Sequence, residues 1–282
     1  MKHVLLFSYL MSIIVSFSQN NTLQKKNNDN KKEQVELFKI CTIKNKLISA
    51  WNIDQQNNVY VAQGSTLNKY NSEGNLIFSQ SIKSIGEISS IDILNPMKIG
   101  VFSIEQQKIC FIDNTLTLIN ECIDLSYRNI GYVNKIYPSN RQNIIWLWDS
   151  NNSKILQIDN LNTKKTIREI SNLNGIINLE NPVFFRELDN QLYVVDLKKN
   201  MYIFDIFGSL IPNNYNLNEK EIISSNKNKI LSMDDKNIYV YKANQIQKKI
   251  CKLTDIEALS FEVNSNFLYV ETTNGIEIFK FL

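Results

Sequence analysis

Histidine is almost missing: the 282-residue chain contains one, His3. Everything after it therefore lacks imidazole general-base catalysis, histidine-activated serine or cysteine nucleophiles, and histidine-ligated zinc, copper or haem. Glycine is scarce, with eight residues, and no phosphate-cradling loop, dinucleotide-binding glycine pattern or EF-hand spacing occurs. Neither sign of charge dominates, since 31 Lys and Arg stand against 28 Asp and Glu. A balanced chain has no electrostatic footprint for nucleic acid, and no nucleic-acid partner is expected. The apolar stretch from Val4 to Phe17 falls short of the roughly 20 residues of a membrane helix.

That stretch follows a short basic start, Lys2 and His3, and ends in small residues. Ser16 and Ser18 stand three and one positions before a cut ahead of Gln19. The pattern predicts a secretory signal peptide over residues 1–18, with an uncleaved anchor as the alternative. No cysteine follows closely, so no lipidated terminus is expected. Residues 19–33, QNNTLQKKNNDNKKE, are polar and aperiodic and read as a disordered leader. Losing Lys2 leaves 30 basic against 28 acidic residues, and no transmembrane segment is expected once the signal is removed. The destination is the periplasm or the outer membrane.

From residue 34 onward the sequence repeats itself. The stretch IIWLWDSNNSKILQIDN (144–160) sets two alternating apolar runs around a turn cluster, and five relatives begin at 57, 97, 190, 228 and 265. Alternation and β-branched content predict strands in every copy. The copies start 37 to 47 residues apart, close to the period of blade-type repeats. Ahead of each lies a third strand: LISAWNI, EISSIDIL, YVNKIYP, PVFFREL, EIISS and ALSFEV. After most lies a fourth: LIFSQSI, INECIDL, KTIREI, IPNNYNL and QIQKKICKL. Four antiparallel strands make a propeller blade. Such a sheet is apolar on both faces, and ring closure gives every copy the two neighbours it needs. The sixth copy stops at Leu282 after three strands, while QVELFKICTI (34–43) is a lone strand ahead of the first. The N-terminal strand is therefore expected to complete the last blade and close the ring. No helix is expected after the leader.

This architecture over residues 34–282 resembles the six-bladed β-propeller superfamily, with its NHL-like members and the exported bacterial propellers of unassigned activity. The resemblance implies an all-β domain of four-stranded antiparallel blades. The dipeptide Trp148–Asp149 occurs once, which does not support a WD40 assignment.

The turn after the second strand of a copy carries Asp149, Asp196, Asp234 with Asp235, and Glu271. Sharing one rim, these carboxylates would form an oxygen-rich site for a divalent cation such as calcium or for a cationic partner. Turn chemistry alone also accounts for them, because Asp bonds its own backbone in turns. Trp148 is the aromatic expected at that rim, its alternative being packing between blades. Arg186, at the end of an inner strand, would reach the central channel or form a surface ion pair. Cys110 and Cys122 flank DNTLT symmetrically about Leu116 and would be bridged across a hairpin. Cys41 and Cys251 fall on outer strands of neighbouring blades and would form a second bridge. Four buried thiols are the alternative.

Three functions remain open. The first is an exported, non-enzymatic module that docks an envelope protein or a ligand, without a cofactor. The second is a calcium-dependent, lactonase-like hydrolase using carboxylates at the channel mouth, since calcium needs only oxygen ligands. The third is a carbohydrate or peptide binder using rim aromatics such as Trp148.

Overall fold

In the computed structural model the chain is described over residues 36–126, 130–139, 141–159, 166–176, 182–213, 217–218, 222–226, 229–234, 237–241, 248–252 and 256–282. The expected signal peptide and polar leader lie outside these residues.

Six four-stranded antiparallel sheets follow one another along the chain. Blade 1 comprises β2 (Ala50–Ile53), β3 (Val59–Gln63), β4 (Thr66–Tyr70) and β5 (Leu76–Ser81). Blade 2 comprises β6 (Ser90–Asn95), β7 (Lys98–Ser103), β8 (Lys108–Ile112) and the two-residue β9 (Ile123–Asp124). Blade 3 holds β10 (Val133–Pro138), β11 (Ile144–Asp149), β12 (Lys154–Asp159) and β13 (Thr166–Ile170). Blade 4 holds β14 (Phe184–Leu188), β15 (Gln191–Val195), β16 (Met201–Phe204) and β17 (Leu210–Ile211). Blade 5 is built from β18 (Ile222–Asn226), β19 (Lys229–Met233), β20 (Asn237–Tyr241) and β21 (Lys248–Lys252). Blade 6 contains β22 (Ser260–Asn264), β23 (Phe267–Thr272) and β24 (Gly275–Phe281), and its outer strand is β1 (Leu37–Lys44). As expected, the described residues hold no long helix; the helical pieces are two short turns, a 3-10 turn at Lys83–Ile85 and the four-residue α1 at Leu173–Ile176, both in crossovers between blades.

The ring is closed by the N-terminal strand. β1 runs antiparallel to β24 from Leu37 opposite Phe281 to Lys44 opposite Gly275, with a bulge between Lys39 and Cys41. Leu282 N–H donates to the Glu36 carbonyl at 2.9 Å. Gly275 has φ +130°, and a Cβ there would run into the Ile43 carbonyl, so the pairing of β1 with β24 at this point requires glycine.

The core follows from period-two alternation. Among the described residues the buried apolar side chains fall into six clusters, each spanning two consecutive blades. On β3, Tyr60 and Ala62 pack toward blade 2, while Val59 and Val61 pack toward blade 6. Successive side chains of a strand point to opposite faces, so a strand apolar at every position needs a neighbour on both sides. The last cluster joins Ile43, Val59, Val61, Tyr269, Ile276 and Ile278, bringing the first and last blades together. Trp51 adds a polar tie across that junction: its Nε1 donates to Glu271 Oε2 at 2.9 Å and to Ser260 Oγ at 2.7 Å.

Candidate functional site

Each inner strand carries polar residues between apolar ones: W-N-I on β2, I-D-I on β6, K-I-Y on β10, F-R-E on β14, I-S-S on β18 and F-E-V on β22. Ile91, Ile136, Phe185 and Phe261 enter the inter-blade clusters. Their polar neighbours are turned to the other side, toward the axis. There Asn52, Asp92, Tyr137, Arg186, Ser225 and Glu262, one from each blade, line an open cavity of about 560 Å³. The cavity opens at the ends of the inner strands where the first turn of each blade begins, as the lining by Asp54, Pro96, Ser139 and Ser265 shows.

Arg186 is the centre of this site. Its Nη1 donates to Asp92 Oδ1 at 3.0 Å, joining blade 4 to blade 2. The Arg186 side chain is 24% exposed and that of Asp92 is 4% exposed. The guanidinium carbon lies 4.5 Å from the centre of the Tyr137 ring, a cation–π contact that fixes the plane of the fork. The second Asp92 oxygen, Oδ2, is buried without a hydrogen-bond partner. On the far side Ser224 Oγ donates to Glu262 Oε2 at 2.8 Å. Asn52 Nδ2 donates to the Ile91 carbonyl at 2.7 Å, and Asn264 Nδ2 to the Asp54 carbonyl at 3.0 Å and to Asn57 Oδ1 at 2.8 Å. These bonds hold the blade 1 and blade 6 walls of the mouth.

The channel perturbs its ionisable groups. Burial pushes the Glu262 carboxyl up to about 7, against the opposing pull of Arg186 and the Ser224 hydroxyl. Burial likewise raises Asp92, with the Arg186 charge working the other way. Arg186 itself is held above its ordinary value: burial opposes its charge, but Asp92 and its other acidic neighbours outweigh it. Burial and then Arg186 repulsion lower Lys135 on β10. Burial thus moves Glu262, Asp92 and Lys135 toward neutrality while Arg186 moves away from it, and ionisable groups perturbed in this way cluster at functional sites.

The rim expected from sequence lies at the opposite ends of the blades and differs in character. Trp148 is fully buried, not exposed. It sits on β11 in the cluster between blades 3 and 4, beside Trp146 and Ile155. β11 has a blade against each face, so an indole there packs. Asp149 is buried; Oδ2 accepts the Gly131 N–H at 2.8 Å and Asn152 Nδ2 at 2.8 Å, and Oδ1 accepts the Asn152 N–H. Asp196 accepts the Asn200 N–H and Nδ2, both at 2.9 Å, and the Tyr202 hydroxyl. Asp234 accepts the Asn237 N–H and the Tyr239 hydroxyl. Glu271 faces Trp51 and Ser260. These carboxylates are turn and junction acceptors dispersed over blades 3 to 6, and they do not converge. Asp235 lies outside the described residues. Among the described residues no three His, Cys, Asp or Glu side chains gather in a metal-holding group.

Arg186 reaches the channel, and its ion pair lies within it, not on the outer surface. Asn52, Asp92, Lys135, Tyr137, Ser225 and Glu262 were missed from sequence; the polar residue inside each inner strand was the available clue. Cys110 and Cys122 form a disulfide with Cα atoms 4.3 Å apart. Cys41 is a free thiol, so the expected Cys41–Cys251 bridge is not made. Its Sγ is turned onto Gly74 of blade 1, away from blade 5. The Cys251 side chain lies outside the described residues.

The fold and its channel define a six-bladed β-propeller with a polar, charged mouth. No protein-family model and no curated protein match the sequence. Solved structures do. A streptogramin B lyase matches with TM-score 0.59 at 11% identity, over 89% of this chain and 99% of that one. A catalytically inactive histidine-to-alanine variant of virginiamycin B lyase from Staphylococcus aureus, solved with quinupristin, matches with TM-score 0.60 at 10% identity, over 88% and 100%. The WD40 domain of Neurospora crassa Pan2 matches with TM-score 0.56 at 10% identity, over 83% and 88%. At these identities the likeness is one of fold. Among the described residues no helix is long and apolar enough to cross a membrane.

Proposed function

We propose that the chain is an exported, non-enzymatic β-propeller of the bacterial cell envelope, acting as an interaction or ligand-binding module whose ligand enters the channel at the Arg186 mouth. One observation carries this: side chains from all six blades converge on an open cavity of about 560 Å³, within the size range of small-molecule sites. The signal-like segment at residues 1–18 supports export. Two of the fold neighbours are lyases, and one of them was solved as a catalytically inactive histidine-to-alanine variant. The only histidine here is His3, which supports binding over that kind of catalysis. Two measurements test the proposal. The mature protein should begin at Gln19 and fractionate with the envelope. Ser225→Trp, which puts an indole into the mouth, should abolish the thermal stabilisation that a small-molecule panel gives the parent protein while leaving the circular dichroism spectrum unchanged. A cytoplasmic chain with residues 1–18 intact, or ligands that bind the variant equally well, would overturn it.

A further inference from the structure

The chemistry of the mouth narrows the ligand, provided that the ligand does enter there as proposed above. Four charged side chains line it: Arg186 against Asp54, Asp92 and Glu262. Asp54 is already saturated, accepting the Gln56 and Asn58 N–H groups, Asn58 Nδ2 and the Tyr60 hydroxyl. Asp92 takes Nη1 of Arg186, and among the described residues no bond is made to the other edge of the fork. Glu262 has one oxygen on Ser224 and the other uncommitted. No ion pair joins Glu262 to Arg186 among the described residues, although each lies within reach of the other's charge. A simple anion reaching Arg186 would meet a surplus of carboxyls, and a simple cation reaching Glu262 would meet Arg186. A molecule bearing both charges satisfies both ends, and it leaves no buried charge unpaired.

We propose that the channel mouth binds a small zwitterion, a free α-amino acid or a dipeptide, with its carboxylate on the open edge of Arg186 and its ammonium on Glu262. Asp92 and the Tyr137 ring are positioning groups that hold the guanidinium in place. The orphaned Asp92 Oδ2 fits a site kept for recognition, because a buried acceptor without a donor costs stability. The fork suits a carboxylate, which it can grip through two parallel bonds.

The sign of the pH effect follows from Glu262. The charged and titratable groups around it are Arg186 on β14, Asp92 on β6, Tyr137 on β10, and Asp54 on the turn after β2, while β18 brings the Ser224 and Ser225 hydroxyls, and Lys135 acts on Arg186 and Asp92. Glu262 must be ionised to hold an ammonium, and it protonates near pH 7. Affinity should therefore rise with pH, by about tenfold from pH 6 to pH 8.

The test is calorimetric titration of the full chain with the common amino acids and their glycyl dipeptides at both pH values, alongside the matching carboxylic acids and amines. The expected result is that at least one zwitterion binds. Its des-amino and decarboxylated analogues should be at least about tenfold weaker, and Glu262→Gln should lose that affinity and its pH dependence. Arg186→Lys, which keeps the charge but not the fork, should weaken binding as well. If the carboxylic acids bind as well as the zwitterions and Glu262→Gln is silent, the zwitterion is wrong but the mouth remains the site. If no zwitterion binds, the inference falls, and a ligand of another class that is sensitive to Ser225→Trp would still uphold the mouth. Binding untouched by Glu262→Gln, Arg186→Lys and Ser225→Trp overturns both.

Discussion

Ring closure can be tested within a single strand. Ile43 and Phe38 both lie on β1, but Ile43 is 4% exposed in the cluster between blades 6 and 1, while Phe38 is 59% exposed. Ile43→Ala removes three heavy atoms from a site walled by Val59, Val61, Tyr269 and Ile276. Such truncations in a packed core cost about 2–5 kcal/mol. Phe38→Ala removes a larger side chain from solvent and should stay within about 0.5 kcal/mol. In a domain of this size each kcal/mol moves Tm by about 2–4 °C, so Ile43→Ala should melt at least about 4 °C below the parent while Phe38→Ala melts with it. Urea unfolding followed by tryptophan emission suits the measurement, because Trp146 and Trp148 are buried and Trp51 sits at the junction itself. Equal losses for the two variants, or an Ile43→Ala loss below about 0.5 kcal/mol, would mean that β1 does not seal blade 6 against blade 1.

Other consequences are as direct. Mass spectrometry with and without reductant should show one disulfide, Cys110–Cys122, and Cys110→Ser with Cys122→Ser should cost about 2–3 kcal/mol in denaturant unfolding. Glu262 is raised in the folded state to about 7 from an ordinary 4.5, so between those values the native state binds more protons than the unfolded one and stability falls as pH rises. The contribution is on the order of 1–3 kcal/mol, and Glu262→Gln should flatten that part of the stability–pH curve; an unchanged curve would refute the shift. Asp149→Ala should cost about 1–2 kcal/mol, because it frees the Gly131 and Asn152 donors, and calcium should stabilise parent and variant equally. A calcium response confined to the parent would restore the rim as a metal site.

How far the sequence carried the fold is clearest at its two ends. The missing fourth strand of the sixth copy and the spare strand around Cys41 are complementary counts, and counting strands needs no coordinates. The outer strands were harder. IPNNYNL predicted a fourth strand in blade 4, yet among the described residues only Leu210 and Ile211 pair there, and in blade 2 only Ile123 and Asp124 do. An outer strand has one neighbour in its sheet and packs less, so its composition is weakly constrained and its length cannot be read from alternation. The 3-10 turn at Lys83–Ile85 escaped for a related reason: three residues leave no periodicity, although Ile85 is fully buried.

The site resisted for a different reason. A turn carboxylate such as Asp149 and a channel carboxylate such as Asp92 look alike in one dimension, each a single acid beside an apolar run. What separates them is the strand they occupy. Asp149 closes a second strand, where backbone N–H groups of the next turn wait for an acceptor. Asp92 lies inside an inner strand between Ile91 and Ile93, where no turn follows and its neighbours are residues of other blades some 45 and 94 positions away, Tyr137 and Arg186. A polar residue in a strand's interior gains nothing from local backbone and must be satisfied by distant chain, solvent or ligand. Once the blades are numbered, therefore, the inner strands are where recognition chemistry in this fold should be sought. The turn carboxylates that draw the eye mainly report how each hairpin is made.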